Sequence, residues 1–198
     1  MTAPIETERR APGRPRSEAA DEAILQATVE LFAQVGLEGL TMEAVAARAG
    51  VGKGTVYRRY ANKFDLVLSV VRAHSRIGEP PPDTGSTRGD LWELVDALVS
   101  VLTESPVGRL LPVLIAARTR VPELDAASAA ITAEGRVRSR AVMRRGVERG
   151  DFRADLDVDF VVDAFVGAVF YRFLLTDSPL DGPFRAEVVE ATMRAFGA

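Results

Sequence analysis

The sequence predicts an all-α protein of about nine helices, and three observations carry that expectation. Apolar residues recur at helical spacing along most of the 198-residue chain. The periodic segments are separated by Gly and Pro, and the long Val/Ile/Thr alternation that marks strands is missing. No repeat of solenoid length is visible either.

Taken in order, Ile24, Thr28, Leu31, Phe32 and Val35 share one face of a first helix, which Gly36 ends. Thr41 is suited to cap a short second helix over 42–49, stopped by Gly50. A third short helix falls at 53–60. Asn62, with Asp65 three residues on, caps a fourth over 62–77 whose face is Phe64, Val67, Leu68 and Val71. Residues 78–89, with Gly78, Pro80, Pro81, Pro82, Gly85 and Gly89, read as a loop. Five apolar-periodic segments follow at 90–104, 107–119, 123–149, 157–176 and 184–196.

Composition narrows the function. With no cysteine, disulfides, thiolate metal sites and thiol catalysis are excluded. The N-terminus is rich in Pro, Arg and Glu and lacks the apolar stretch of a signal peptide. The longest apolar run, 160–175, contains Asp163 and Arg172 and is too short to span a membrane. A soluble, cytoplasmic protein with no membrane partner is expected. The net charge of −3 hides an uneven distribution. From Ala44 to Phe64 the chain carries Arg48, Lys53, Arg58, Arg59 and Lys63 with no acid, whereas 66–198 holds 16 basic and 19 acidic residues. A local basic patch on an acidic body is the footprint of a nucleic-acid binder.

That patch sits in 41–60, TMEAVAARAGVGKGTVYRRY, which reads as two helices around a turn. Ala46 allows close approach, Gly50 supplies the left-handed turn, and Val56 plugs the core between them. In such a helix-turn-helix the second helix enters the major groove. Its outward face would offer Lys53, Thr55, Tyr57, Arg58 and Tyr60. A plain helical hairpin with a solvated basic face is the alternative.

Leu31-Phe32, Gly36, Thr41, Ala49-Gly50-Val51, Gly54-Thr55, Tyr57, Asn62-Lys63 and Leu66 stand together in the register of the TetR-family N-terminal signature, which the chain resembles over about 17–70. The resemblance implies phosphate contacts by Thr41, Thr55, Tyr57, Tyr60 and Lys63, with Lys53, Gly54 and Arg58 nearest the bases. Gly52 departs from the pattern, since many members carry Ser there, and removes a hydroxyl cap. Arg14 and Arg16, in a basic arm over 1–16, would enter an adjacent minor groove; a solubilising tail is the other reading. Domains then follow as the arm 1–16, a DNA-binding head 17–63, and a dimerising, ligand-sensing body 64–198.

Other motifs carry less. The run Gly50–Thr55 lacks the Ser or Thr after Lys and the preceding strand of a phosphate loop. His74, the only histidine, cannot build a triad or a histidine metal site. Asp155, Asp157 and Asp159 suit a helix N-terminus. The arginines 136, 138, 140, 144, 145 and 149 read as a solvated face or as partners for acids. No cofactor, metal or catalytic residue is expected.

In the body, 159–176 is apolar nearly all round and must be covered on every side. The resemblance implies a homodimer through the last two helices, and Ala164, Gly167, Ala168, Tyr171, Val188, Val189 and Met193 are the interface candidates, on a stripe shared with Phe184 and Phe196. It also implies a small-molecule pocket between the middle helices. Trp92, Leu98, Leu111, Leu114, Phe165, Val169 and Phe173 are its apolar candidates, with Arg118 or Asp163 as polar anchors. The expected function is a repressor on a palindromic double-stranded operator, released by an unknown, mainly apolar effector. A DNA binder without an effector, of architectural or cell-division role, is the second reading.

Overall fold

The computed structural model describes residues 14–176 and 178–198, with side chains from Glu18 onward except that of Glu123. Every extended element among them is a helix, as the periodicity predicts, and the chain divides into two compact units after Lys63. Most of the expected arm falls outside the described residues. Arg14 and Arg16 are an exception and a correction: helix α1 runs Arg14–Gly39, so both already stand in its first turn. Pro15 is tolerated there because first-turn N–H groups have no helical partner.

The first unit holds α1, α2 (Met42–Arg48) and α3 (Lys53–Arg59). Its core is built from Ile24, Ala27, Leu31 and Phe32 of α1 with Met42, Val45, Ala46 and Val56. Thr28 is buried among them because its hydroxyl donates to the Ile24 carbonyl at 2.8 Å. Helix α1 breaks at Gly36, whose φ of 66° is costly for other residues, and the break precedes buried Leu37 and Leu40. Val35, expected on the buried face, is 51% exposed and turned instead over Gly39.

In the second unit, α4 (Lys63–His74) is followed by α5 (Thr87–Glu104), α6 (Val107–Arg118), α7 (Pro122–Glu148), α8 (Val158–Tyr171), a π-helical turn over Arg172–Thr176, and α9 (Gly182–Phe196). The expected loop at 78–89 ends three residues early, since the Ser86 hydroxyl accepts from the Gly89 amide and starts α5 there. Asp157 and Asp181 cap α8 and α9 in the same way. Helix α5 is central, packing on α6, α7, α8 and α9. Leu91, Val95, Val99 and Leu102 form its inner stripe against Val142, Met143, Phe152, Val161, Phe165, Val169 and Val189.

Of the six arginines of α7 and its C-cap, five are partners for acids and Arg144 is exposed. Arg136 pairs with Asp159 and Asp163, Arg140 with Asp159, and Arg138 with Glu79. Arg145 and Arg149 converge on Asp90, at 3.2 and 2.9 Å, and on Asp83. Asp90 is fully buried, and its other oxygen accepts from the Thr84 amide and hydroxyl at 2.6 and 2.8 Å. The loop before α5 is thereby fastened to α5 and α7.

Candidate nucleic-acid interface and ligand cavity

Two short helices meet at Gly50, which adopts φ 66° while the Val51 amide donates to the Ala46 carbonyl at 3.0 Å. The Thr41 hydroxyl accepts from the Ala44 amide at 3.2 Å and fixes the start of α2. Gly52 opens α3 without a side-chain cap, as its lack of a hydroxyl predicts. Ala46 and Val56 are the buried contact between the helices. This is the helix-turn-helix arrangement.

The outward face of α3 carries Lys53, Gly54, Tyr57 and Arg58, all exposed, with Thr55 half-buried beside them. Among the described residues, Lys53 and Arg58 have no hydrogen-bond or ion-pair partner. The other cations of the patch are engaged. Arg48 reaches Glu30 at 3.0 Å and Gln34 at 3.1 Å, and Arg59 reaches Asp21 at 2.5 Å. Lys63 donates to the Leu37 and Glu38 carbonyls at 2.9 and 3.4 Å, closing the end of α1. Tyr60 departs from expectation: it ends α3 in extended backbone and is only 8% exposed, so its ring belongs to the core rather than the outward face. Arg14 and Arg16 contribute no described side chain.

One residue of this face escaped the sequence reading. The Tyr57 hydroxyl donates to Glu43, in the first turn of α2, at 2.7 Å. That hydrogen bond holds the Glu43 carboxyl below the usual carboxylate range and pushes the Tyr57 phenol up. The pair is separated by 14 positions, and only the crossing of the two helices brings it together.

The second unit holds a partly open cavity of about 280 Å³. Of the candidates, Leu98, Leu111 and Phe165 line it, joined by Leu94, Leu102, Val162, Val166 and Phe170. Its polar wall is Thr132, Arg136, Arg138 and Ser139 of α7, with Ser75 and Arg76 just after α4. Among the described residues, no acid lines it. The remaining candidates are elsewhere. Leu114 and Val169 are buried outside the lining, and Phe173 packs on the core. Arg118 is tied to Asp125 at 2.7 Å on the surface, and Asp163 is an exposed partner of Arg136. Trp92 is 37% exposed, on the α5 face that Arg88–Glu190 and Asp96–Arg185 hold to α9.

Helix α8 presents an uncovered stripe of Phe160, Ala164, Gly167, Tyr171 and, in the π turn, Leu175. Phe160, Tyr171 and Leu175 are 62, 61 and 74% exposed. Val188 and Val189, expected on the same open face, are instead 7 and 0% exposed. They belong with Met193 to the unit's own core, because α9 turns that side against α5 and α8. Ala168 is half-buried beside them.

Residues 24–70 match the model of bacterial regulatory proteins of the tetR family, and 81–192 match the tetracyclin repressor-like C-terminal domain. The HTH-type transcriptional regulator YdeS of Bacillus subtilis is 29% identical over 185 residues, 93% of this chain and 91% of its own. The crystal structure of the TetR family transcription regulator SCO0332 is 32% identical, covers 90% of this chain and 99% of its own, and superposes with a TM-score of 0.71. Two more distant structures share the fold at a TM-score of 0.69 and 20% identity. They are FadR of Bacillus subtilis in complex with stearoyl-CoA, over 87% of this chain and 97% of its own, and SmeT in complex with triclosan, over 91 and 92%. With head, body and full-length relatives in agreement, the chain belongs to the TetR family of helix-turn-helix transcriptional regulators.

Proposed function

We propose that the protein is a cytoplasmic repressor that binds a palindromic duplex as a homodimer and is released by a small apolar effector. The supporting observation is the outward face of α3, where Lys53 and Arg58 project unpaired from a helix-turn-helix. In this reading Lys53, Gly54 and Arg58 meet base edges, while Thr41, Thr55 and Lys63 meet phosphates. Arg14 and Arg16 add phosphate or minor-groove contacts from the start of α1.

Operator binding measured against salt tests this assignment. Each neutralised phosphate contributes about −0.9 to the slope of log K against log salt. Lys63→Ala is expected to weaken all sequences alike and flatten that slope. It also loosens the head, because its ammonium closes the α1 carbonyls. Lys53→Ala is expected to relax base preference at one position per half-site by about 1–3 kcal/mol. Equal loss on every sequence from Lys53→Ala removes its base-reading role.

The effector site is the cavity of the second unit. Its volume of about 280 Å³ lies below the range of about 300–1,000 Å³ typical of drug-sized ligands. Its lining is apolar with three arginines and, among the described residues, no acid. The acid partners Asp159, Asp163 and Glu79 stand outside the lining, so N–H donors face the cavity and neutral or anionic apolar molecules fit better than lipophilic cations. The stearoyl-CoA and triclosan held by FadR and SmeT support an apolar effector. A carboxylate, an alcohol and an amine on one alkyl chain are expected to bind in that descending order, with operator affinity falling over the same concentrations. The coupling acts through differential affinity for two states, typically about 1–3 kcal/mol, and is reciprocal. Trp92 fluorescence is not expected to report binding directly, since that ring lies outside the lining. If ligands fill the cavity and operator affinity stays fixed, the protein is a DNA binder without an effector.

A further inference from the structure

We infer that Glu43 and Tyr57 together form a hydrogen-bond-accepting pair that selects a base bearing an exocyclic amino group, cytosine or adenine, in each half-site. The inference rests on the reading that α3 enters the major groove. There a tyrosine is ordinarily free to give its proton to a phosphate. In this protein the proton is already committed, because the Tyr57 hydroxyl donates to Glu43 at 2.7 Å. Tyr57 is half exposed, and its oxygen then has lone pairs only to offer a further partner. A carboxylate likewise accepts and cannot donate. The two side chains therefore make an acceptor patch beside the donors Lys53 and Arg58.

Phosphate oxygens, guanine O6 and N7, and thymine O4 are all acceptors, so the patch repels them or leaves them unpaired. Only cytosine N4 and adenine N6 present donors in the major groove. The carboxylate charge strengthens the choice. Glu43 lies close enough to Lys53 to feel its charge, and that neighbour limits the cost of bringing an acid near the duplex. Glu43 thus acts on DNA both directly, through its own oxygens, and indirectly, by fixing which way the Tyr57 hydroxyl points.

The test is selection of duplexes from a randomised pool by the full-length protein, wild type and the variants Glu43→Ala and Tyr57→Phe. Measured affinities then follow for selected duplexes in which cytosine is replaced by 2-pyrimidinone or adenine by purine, each lacking the amino group. The wild type is expected to enrich one C or A per half-site, and to lose about tenfold or more in affinity when that amino group is removed. Glu43→Ala should bind the substituted and natural duplexes within about twofold of each other, and Tyr57→Phe should keep a smaller penalty than the wild type, while preferences at the other positions persist. Neither side chain is buried, so thermal unfolding of the variants should match that of the wild type. The inference is overturned if Glu43→Ala raises affinity for every sequence alike with the preference profile unchanged. In that outcome the released Tyr57 hydroxyl binds a phosphate and Glu43 only competes for it. It is also overturned if removing the amino groups changes nothing in the wild type. A wild type that enriches no sequence at all refutes the underlying major-groove reading instead, and is told apart by the absence of any preferred position.

Discussion

Replacing Asp90 by Asn is expected to lower the stability of the C-terminal unit by about 3–5 kcal/mol, the range for breaking one side of a buried ion pair. Asp90 is completely buried and is met by Arg145, Arg149 and two donors of Thr84. Burial alone would raise its pKa. The bonds from the Thr84 amide and hydroxyl, the Arg149 bond and the Arg145 charge outweigh it, and hold the carboxyl below its ordinary range. The Asn variant keeps the shape but leaves two guanidinium groups with Asp83 alone as their acid. The sign of the pH effect follows from the lowered pKa. The stabilisation is complete above the unfolded-chain value of about 3.9 and is lost as pH falls through the lower folded value. Denaturant unfolding followed through Trp92, two residues along α5, should show wild type and variant converging below about pH 3.9 and apart at neutral pH. A difference under about 0.5 kcal/mol at neutral pH, or one constant with pH, would make the network ornamental.

The same helix illustrates what periodicity can reveal. The inner stripe of α5 has buried residues every three or four positions, the spacing by which the segment 90–104 is legible as a helix. Periodicity identifies apolar faces; it does not say what covers them. The α9 valines and the α8 stripe are equally apolar in sequence, yet Val188 and Val189 fill the unit's own core while Phe160 and Tyr171 stay open. Val35 failed for a related reason, since the break at Gly36 ends the helical register on which its burial depended.

The helix-turn-helix was legible almost residue by residue, because small residues at fixed spacing have one geometric purpose. The cavity was not. Its polar wall comes from α7, whose arginines look in sequence like one solvated face. That Arg136 and Arg138 both line the cavity and meet acids depends on the placement of α8 and of the segment after α4. Tyr60 was misplaced by one residue of helix: α3 ends at Arg59, and the extended backbone that follows rotates the ring inward. The Glu43–Tyr57 bond lies beyond any local pattern.

Gly167→Arg is expected to convert the protein from dimer to monomer without unfolding it. The open stripe on α8 combines large rings at Phe160 and Tyr171 with small residues at Ala164 and Gly167, which let a second helix approach closely. Exposed apolar surface of this extent marks an association site, and a two-fold axis through it would pair the stripe with its own copy. Within one chain a Cβ added at Gly167 meets nothing within 4 Å and the position is exposed, so the arginine can extend into solvent in the monomer. In a dimer seam the same guanidinium would be desolvated against apolar neighbours, at a cost of several kcal/mol, roughly a hundredfold or more in the association constant. Light scattering should therefore give a dimeric wild type and a monomeric variant with matching thermal unfolding of the individual unit. Operator affinity should fall further than for any single contact residue, because a monomer engages one half-site and loses the gain of binding both at once. Should Gly167→Arg remain dimeric at low micromolar concentration and keep its operator affinity, the α8 stripe is not the seam, and another surface must join the two heads.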